Sequence, residues 1–343
     1  MNILRVIFLL LSAILIALPW LHAPLAGNFV ILSLMAIPVF LVDIILLLTA
    51  RRRRRHHHRH HHHRPWYRKL NPWRIAFAIV VLAMLPMFRG YLPLFGRQTV
   101  PTTLHPTPLT LVSWNADNFQ LKAQTLQASA QKILAQHPDI ICLQERPHDN
   151  LLRWDSIKAA FPGYPYTIRN NREDEVLNLA VLSKYPIGNV CDYYYPGTLN
   201  KTMRADLQIG SQKVRLFNVH LETTSMGTGN TDATTPAPLR LTHNSVQRNQ
   251  QAAELADAIR QSPYPVLLCG DFNDTRTGYA YRHIALQLTD LSRLSPLTGS
   301  YQGYLGLFKI DYLFYDRSFA PASYQLINNP WSDHKIQVGK LYF

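Results

Sequence analysis

Apolar residues are unevenly distributed along this chain. Three long apolar runs occupy its first third, at residues 3–20, 29–50 and 75–88, whereas short apolar runs alternate with polar segments from residue 109 onward. A membrane-spanning helix needs about 20 apolar residues, and the first two runs reach that length. The third run reaches it only if it continues to residue 95. The pattern predicts three transmembrane helices within residues 1–95 and a soluble domain over residues 109–343.

The first apolar run has a second interpretation. Arg5 precedes its apolar core, as in a secretory signal peptide. A small-residue cleavage site is missing and two further apolar runs follow, so the pattern favours a spanning helix.

Between the second and third runs lies a strongly basic segment, RRRRRHHHRHHHHRPWYRK, at residues 51–69. Short loops rich in Lys and Arg remain in the cytoplasm. The domain after residue 95 is then predicted on the extracytoplasmic side of a multi-pass inner-membrane protein, which is the periplasm in a Gram-negative cell. The loop is typical of a topogenic segment attracted to anionic headgroups. Its seven histidines also permit a metal-binding tract, which the adjacent arginines oppose.

The net charge of +14 belongs almost entirely to the N-terminal third. Residues 1–108 hold 13 Lys and Arg and one acid, whereas residues 109–343 hold 22 Lys and Arg and 20 acids, a balance of +2. The soluble domain therefore carries no overall electrostatic signature of a nucleic-acid binder. Residues 96–108 contain three prolines and are predicted to form an extended linker.

The residue pattern of the soluble domain predicts many strands and a few helices. Strand-like runs lie at 109–115, 139–145, 178–184, 203–210, 213–222, 265–273, 309–315 and 335–343, and helical spacing occurs at 122–136 and 247–261. The runs on either side of Gly210 predict a hairpin. This composition predicts an α/β domain of two packed sheets flanked by helices. The polar segment 223–246 is predicted to be a loop at the rim of a site.

Polar residues recur where the apolar runs end. They are Asn115, Glu145, His220, Asp271, Asn273, Asp311, Asp333 and His334. If the strands lie side by side, these ends form one polar cluster above an apolar core. Carboxylate and amide oxygens suit Mg²⁺ or Mn²⁺, and the histidines suit proton transfer near neutral pH. Each residue alone is equally typical of a strand end, a turn or a helix cap, so the ordered set is what indicates a site.

The ordered set resembles the endonuclease/exonuclease/phosphatase superfamily, whose members include DNase I and the neutral sphingomyelinases. The matching motifs are WN at 114–115, LQE at 143–145, NVHLE at 218–222, GDFN at 270–273, IDY at 310–312 and SDH at 332–334. They cover the soluble domain and none of the apolar part. The resemblance implies a four-layered α/β/β/α sandwich and a divalent cofactor, Mg²⁺ or Mn²⁺.

The resemblance also implies roles around the metal and the attacking water. Glu145 would be a principal metal ligand, with Asn115 and Asp333 nearby. Asp271 would orient or deprotonate the water. Asn273 would bind a phosphate oxygen, and Asn115 would contribute to substrate binding as well.

Further implied roles concern the phosphoryl group. His334, held by Asp311, would stabilise the pentacovalent phosphoryl group, and His220 resembles the second active-site histidine of the DNase I and sphingomyelinase branches. Arg204, in MRADL, resembles a phosphate-contacting basic residue.

The sequence thus favours a metal-dependent hydrolase of phosphate esters acting outside the cytoplasm. Nucleic acid, phospholipid headgroups and small phosphate esters remain alternative substrates, with the membrane as a neighbour and no protein partner implied. The competing hypothesis is a non-catalytic membrane protein that retains the fold as a binding module. A degraded set of polar residues would favour that hypothesis, and here every expected residue type is present.

Overall fold

The computed structural model describes residues 2–50, 71–88, 108–170, 177–224, 235–295, 298–303, 306 and 308–343. The basic loop at 51–69 and residues 96–107 of the linker lie outside the described residues. The apolar part forms helices α1 (Asn2–Ala17), α2 (Ala23–Gly27), α3 (Val30–Leu34), α4 (Ala36–Thr49) and α5 (Pro72–Phe88).

Among these described helices, one stretch, Asn2–Trp20, is long and apolar enough to cross a membrane by length and composition, while Ala36–Thr49 and Pro72–Phe88 are shorter apolar helices. The second predicted span, 29–50, is not one continuous helix. It divides at Met35, and α4 restarts with Pro38 in its first turn. Proline is tolerated there because the first amides of a helix have no intrahelical acceptor.

Helices α1, α4 and α5 pack side by side. Leu15, Ala36, Met84, Met87 and Phe88 form a buried cluster near one end of these helices. At the other end, the Asn71 side chain donates to the Ala50 carbonyl at 3.0 Å. That bond brings together the two chain ends from which residues 51–70 depart.

The outward face of the three helices is apolar and uncovered. Leu10, Leu41 and Leu82 are 60%, 54% and 65% exposed. A contiguous apolar surface of this kind is uncommon on soluble monomers.

Residues 109–342 contain two six-stranded sheets within the described residues. The strands are β1 (Leu109–Asn115), β2 (Ile140–Arg146), β3 (Tyr166–Arg169), β4 (Asn178–Ser183), β5 (Ile187–Tyr194), β6 (Lys201–Ile209), β7 (Gln212–His220), β8 (Val266–Asp271), β9 (Thr289–Asp290), β10 (Asp311–Tyr315), β11 (Ala320–Ile327) and β12 (Ile336–Tyr342). One sheet has the order β11-β12-β1-β2-β4-β3 and the other β5-β6-β7-β8-β10-β9. We refer to them as the first and second sheet.

Helices cover the outer face of each sheet. They are α6 (Ala123–Leu134) and α7 (Trp154–Ala160) on the first sheet, and α8 (Ala237–Arg260) and α9 (Tyr279–Ile284) on the second. Between the sheets lies a core that includes Leu111, Cys142, Leu216 and Leu313. The four-layered α/β/β/α sandwich is therefore confirmed.

Every strand expected from the sequence is present, and the hairpin around Gly210 pairs Ile209 with Gln212. Four strands were not predicted: β3, β5, β9 and β11. Helix α8 begins at Ala237, ten residues before the predicted start, so residues 237–246 of the segment expected to be a rim loop are helical. Residues 225–234 of that segment lie outside the described residues.

Candidate active site

The predicted strand ends meet at one end of the sandwich. Strands β1 and β2 run parallel, as do β7 and β8, so their carboxyl ends lie at the same edge of each sheet. Strand β10 runs antiparallel to β8 and contributes its first residue, so that Asp311 is directly opposite Asp271. His220 is the register partner of Asp271 on the other side.

Asn115 joins the two sheets across the site. Its Nδ2 donates to Glu145 Oε1 at 2.8 Å and to Asp271 Oδ2 at 3.1 Å. Its Oδ1 accepts from the Asp117 backbone N–H at 3.1 Å. In this orientation Asn115 presents an N–H group, not an oxygen, to the carboxylates and holds them next to each other.

Glu145 reaches the site through an irregularity in its strand. The register between β2 and β4 shifts between Leu143 and Arg146, and Glu145 has a φ of 50°. A non-glycine residue in this left-handed region costs about 1–3 kcal/mol and persists where the surroundings impose it. The neighbouring Gln144 side chain lies between the sheets and donates to Asn218 Oδ1 at 2.6 Å. The bulge therefore turns Glu145 toward the site.

His334 and Asp311 form a buried pair. His334 Nδ1 lies 2.9 Å and 3.1 Å from the two Asp311 carboxylate oxygens, and its Nε2 lies 3.6 Å from Asp271 Oδ2. Burial disfavours the imidazolium, but the charges of Asp311 and Asp271 outweigh it and raise the pKa of His334 to about 10. The free Nε2–H thus carries positive charge toward the centre of the site.

His220 is oriented by Asn200, a residue that the sequence did not single out. Asn200 Nδ2 lies 3.0 Å from His220 Nδ1 and also donates to the Leu221 carbonyl. His220 Nε2 then faces Glu145 Oε1 at 3.2 Å and Asp271 Oδ2 at 3.7 Å, without hydrogen-bond alignment to either. Burial opposes the charged form, but the adjacent Glu145 raises the pKa of His220.

The pKa values of the two central carboxyl groups, Glu145 and Asp271, are shifted in opposite directions. Burial raises the pKa of Glu145, but His220 and the hydrogen bond from Asn115 outweigh it and lower the pKa to about 2. Burial and the charge of Asp311 raise the pKa of Asp271 to about 6, against the histidines. Glu145 is therefore a permanent anion, whereas Asp271 can exchange a proton near neutral pH.

Asn273 and Asp333 lie at the margin of this cluster. The Asn273 backbone N–H donates to Asp271 Oδ1 at 2.8 Å, and its side chain donates to the Leu221 carbonyl at 3.0 Å. The Asp333 side chain is 52% exposed and lies 3.7 Å from His334 Nε2. Asp333 therefore stands at the mouth of the site.

Arg204 is not brought to this cluster. Met203 and Leu207 of β6 pack between the sheets, so Arg204 lies on the opposite face of the strand. There its guanidinium donates to the Tyr193 hydroxyl at 3.1 Å and to Asn189 Oδ1 at 3.5 Å. The expected phosphate contact does not fit this placement, because successive residues of a strand point to opposite faces of the sheet.

Asp117 is a carboxylate of this region that the sequence reasoning missed. Burial, Asp333 and Glu145 raise its pKa to about 6. It opens a turn in which residues 117–121 all have φ between 42° and 53°. The signal for it was present, since Asp117 follows the WN motif by two positions in WNAD.

The cluster suits a divalent cation. Two groups place their ligand atoms within 4.8 Å of one another: Glu145, His220 and Asp271, and Asp271, Asp311 and His334. Because its pKa is raised to about 10, His334 keeps a proton on Nε2 and does not offer that atom to a cation. The carboxylate oxygens of these groups are the available ligand atoms. Oxygen donors, with Asp117 and Asp333 nearby, fit a hard cation such as Mg²⁺ or Mn²⁺.

Two opposed sheets that carry carboxylates and histidines at one end define a DNase I-like hydrolase. Residues 112–334 match the Endonuclease/Exonuclease/phosphatase family, and the chain belongs to that family. It is accordingly a metal-dependent hydrolase of phosphate ester bonds. None of the curated proteins matches the chain.

Solved structures share the fold at low identity. TDP2 from C. elegans is 19% identical with a TM-score of 0.57, covering 70% of this chain and 77% of that one. The human Nocturnin catalytic domain with bound sulfate is 19% identical with a TM-score of 0.53, covering 69% and 94%. D. rerio TDP2 complexed with a single-strand DNA product is 16% identical with a TM-score of 0.53, covering 68% and 98%.

Proposed function

We propose that this protein is a membrane-anchored phosphodiesterase whose site uses Mg²⁺ or Mn²⁺ and acts outside the cytoplasm. The observation that carries the proposal is the arrangement in which Asn115 links Glu145 to Asp271 while Asp311 holds His334. In this arrangement the Glu145 anion, the Asp271 carboxyl group that titrates near neutral pH and the positively charged His334 imidazole lie within one cluster. Those are the groups that hydrolysis of an anionic ester requires.

Each side chain has a role in this scheme. Glu145, with Asp333 at the mouth, would hold the cation, and Asn115 would fix the position of the Glu145 carboxylate. A bound divalent cation would neutralise charge on the phosphoryl oxygens. Asp271 would accept the proton of the attacking water, since its raised pKa suits a general base near neutral pH.

The histidines and Asn273 would act on the phosphoryl group itself. His334 would donate a charged hydrogen bond from Nε2 to a phosphoryl oxygen, because Asp311 keeps it protonated and oriented. His220 faces the same space from the opposite strand. Asn273 would bind a phosphate oxygen after releasing its bond to the Leu221 carbonyl.

The decisive experiment measures hydrolysis by the full-length protein in detergent micelles. The substrates are bis-p-nitrophenyl phosphate, single-stranded DNA and sphingomyelin, each with EDTA, Mg²⁺ or Mn²⁺. We expect turnover that needs the metal and that falls by at least about 10²-fold in His334→Ala. Asp155→Asn, a change at a carboxylate 70% exposed on α7, is the matched control. Metal-dependent turnover of none of these substrates would overturn the proposal.

The choice of substrates in this experiment distinguishes nucleic-acid hydrolysis from lipid-headgroup hydrolysis. The DNA-bound D. rerio TDP2 structure is a reason to include nucleic acid. The apolar helices are a reason to include a lipid headgroup, because an anchor of this kind would hold the site close to a bilayer. Preference for one class is read from the ratio of kcat/KM values.

The proposed topology places the basic loop in the cytoplasm and the catalytic domain on the opposite side. Its support is that residues 51–70 leave the helices at the Asn71 end, whereas the domain follows α5 at the Phe88 end. Cys191 is the partly exposed cysteine, while Cys142 and Cys269 are buried. A membrane-impermeant maleimide should therefore label right-side-out vesicles and spare inverted ones. The reverse result would refute the topology.

A further inference from the structure

The segment that joins α1 to α4 packs on the outer helices of the catalytic domain. In this segment, residues 18–35, Leu18, Ala23 and Ala26 form a buried cluster with Tyr279 of α9. We propose that residues 18–35 hold the loop of residues 271–277 in its catalytic geometry, so that hydrolysis depends on the N-terminal helices. This inference rests on the proposed function and assigns a positioning role to Thr277.

The contact between α2 and α8 requires a glycine. A Cβ atom built on Gly27 would lie 2.5 Å from Val246 Cγ2 and 2.7 Å from Val246 Cα. No residue with a side chain fits without separating the two helices. One turn along α8, in the orientation that satisfies both of its amide atoms, the buried Asn249 side chain accepts from the Gly27 backbone N–H at 3.1 Å and donates to the Ser245 carbonyl at 3.2 Å. The closeness of this packing indicates a specific contact between folded elements.

In a second contact, basic side chains of α9 bind backbone carbonyls at the end of α1. The Arg282 guanidinium of α9 donates to the carbonyls of Leu15 and Ile16, and His283 Nδ1 lies 2.9 Å from the Pro19 carbonyl. The last carbonyls of a helix have no intrahelical donor and carry partial negative charge, which a cation stabilises. Burial lowers the pKa of Arg282 to about 10. The acceptors of this buried guanidinium belong to α1, so the contact stabilises the packing of α1 on α9.

The third contact reaches the catalytic site. The Thr277 hydroxyl donates to the Ser33 carbonyl at 2.8 Å in a buried setting. Six residues earlier in the same loop, Asp271 belongs to the site. Between them, the Asp274 carboxylate accepts from the Ala280 backbone N–H at 2.8 Å and from the Thr275 backbone N–H at 3.0 Å. The loop is therefore tied to the site at one end and to residues 18–35 at the other.

Arg248 of α8 connects the same elements from the other side. Its guanidinium donates to the Glu222 carbonyl at 3.2 Å and lies 3.8 Å from Asp274 Oδ1. It also donates to the Thr224 hydroxyl, which in turn donates to the Asn273 carbonyl at 2.5 Å. Arg248 immediately precedes Asn249, which contacts Gly27. A shift of α8 on residues 18–35 would therefore move the backbone beside Asp271.

The test compares Thr277→Val with Thr277→Ser in the full-length protein in detergent micelles. Valine removes the hydroxyl at similar volume, and serine keeps it. For Thr277→Val we expect kcat to fall at least about fivefold while KM changes less than about twofold, the effect of a misplaced site. Thr277→Ser should keep the wild-type kcat. Thr49→Val, which removes a hydroxyl bonded within α4, is the matched control and should also be unchanged.

Hydrogen exchange gives a readout that does not need activity. Amides of residues 271–277 should exchange faster in Thr277→Val and in Gly27→Val than in the wild type, with β4 unchanged as the folding control. Wild-type kcat and exchange in Thr277→Val would overturn the inference, as would an equal loss in Thr277→Ser. An inactive wild-type protein would refute the proposed function alone, because the exchange comparison still decides the inference.

Discussion

At the scale of single residues, the neighbouring carboxyl groups of Glu145 and Asp271 have different pKa values because different groups face them. Glu145 faces His220 and Asn115, both of which favour its anion. Asp271 faces Asp311 as well as the two histidines, and it is fully buried. The two carboxyl groups therefore differ in pKa, as the proposed roles of metal ligand for Glu145 and proton acceptor for Asp271 require.

The Glu145→Gln substitution tests the fixed charge. It keeps the size and the bulge but removes the anion that faces His220 and Asn115. We expect kcat on bis-p-nitrophenyl phosphate to fall at least about 10²-fold. The rise in Tm that Mg²⁺ or Mn²⁺ produces in the wild type should also disappear, because a ligand stabilises only the state that binds it. Wild-type kcat together with a wild-type Tm rise would contradict the assignment.

The Asp311–His334 pair predicts how stability depends on pH. The pKa of His334 rises from 6.5 to about 10 in the folded protein. A raised folded-state pKa gives a stabilisation that is complete below pH 6.5 and is lost as pH rises through 10. In EDTA, urea denaturation should therefore show a larger stability difference between wild type and His334→Gln at neutral pH than at pH 10. Equal differences at both pH values would show that the imidazolium is not the stabilising form.

At the scale of secondary-structure elements, a buried polar cluster fastens the two sheets beneath the site. The Asn218 side chain on β7 donates to the carbonyls of Leu143 on β2 at 3.1 Å and of Ala180 on β4 at 3.0 Å. It accepts from Gln144 Nε2 at 2.6 Å. One side chain therefore contacts three groups of the first sheet and sets where the strand ends meet.

Asn218→Ala should be strongly destabilising. It leaves three buried groups without this partner, and each unsatisfied buried group costs about 1–3 kcal/mol. We expect a loss of at least about 2 kcal/mol in the free energy of unfolding, measured by urea denaturation. Asn150→Ala, at an exposed position before α7, should be neutral. A loss no larger than that of Asn150→Ala would mean that water replaces the missing contacts.

The sequence predicted the strands that carry the site because those strands are buried on both faces and end in polar residues. Strand β1 ends at Asn115 as expected, and β8 ends at Asp271. Edge strands such as β5 and β11 lack this pattern, since much of their length is exposed or half-buried. They escaped prediction for that reason.

Side-chain direction was harder to predict than strand position. Arg204 was assigned to the site from its motif, but which face it occupies depends on the register of β6 against its neighbours. Asn200 could not be found from the sequence alone, because its role arises only where β6 pairs with β7 and places Lys201 opposite His220. The break at Met35 likewise follows helices that pack against α8, a contact that the sequence pattern does not disclose.

At the scale of the whole molecule, the catalytic domain and the apolar helices form a continuous structure over the described residues. The second-sheet helices α8 and α9 face β-strands on one side and residues 18–35 on the other. A protein beginning at residue 108 would lose that cover. It would expose the apolar surface around Ala253 and Tyr279 to water.

This exposed surface has a practical consequence for recombinant production. A protein of residues 108–343 should self-associate in light-scattering measurements, and Ala253→Lys should restore a monodisperse sample by charging the uncovered patch. In the full-length protein the same substitution should lower Tm, because it places the charge in a partly buried apolar contact with residues 18–35. Opposite effects of one lysine in the short and long proteins would identify the patch, and a monodisperse unmodified short protein would exclude it. We therefore expect the solubility of the isolated domain to depend on a surface that residues 18–35 largely cover in the intact chain.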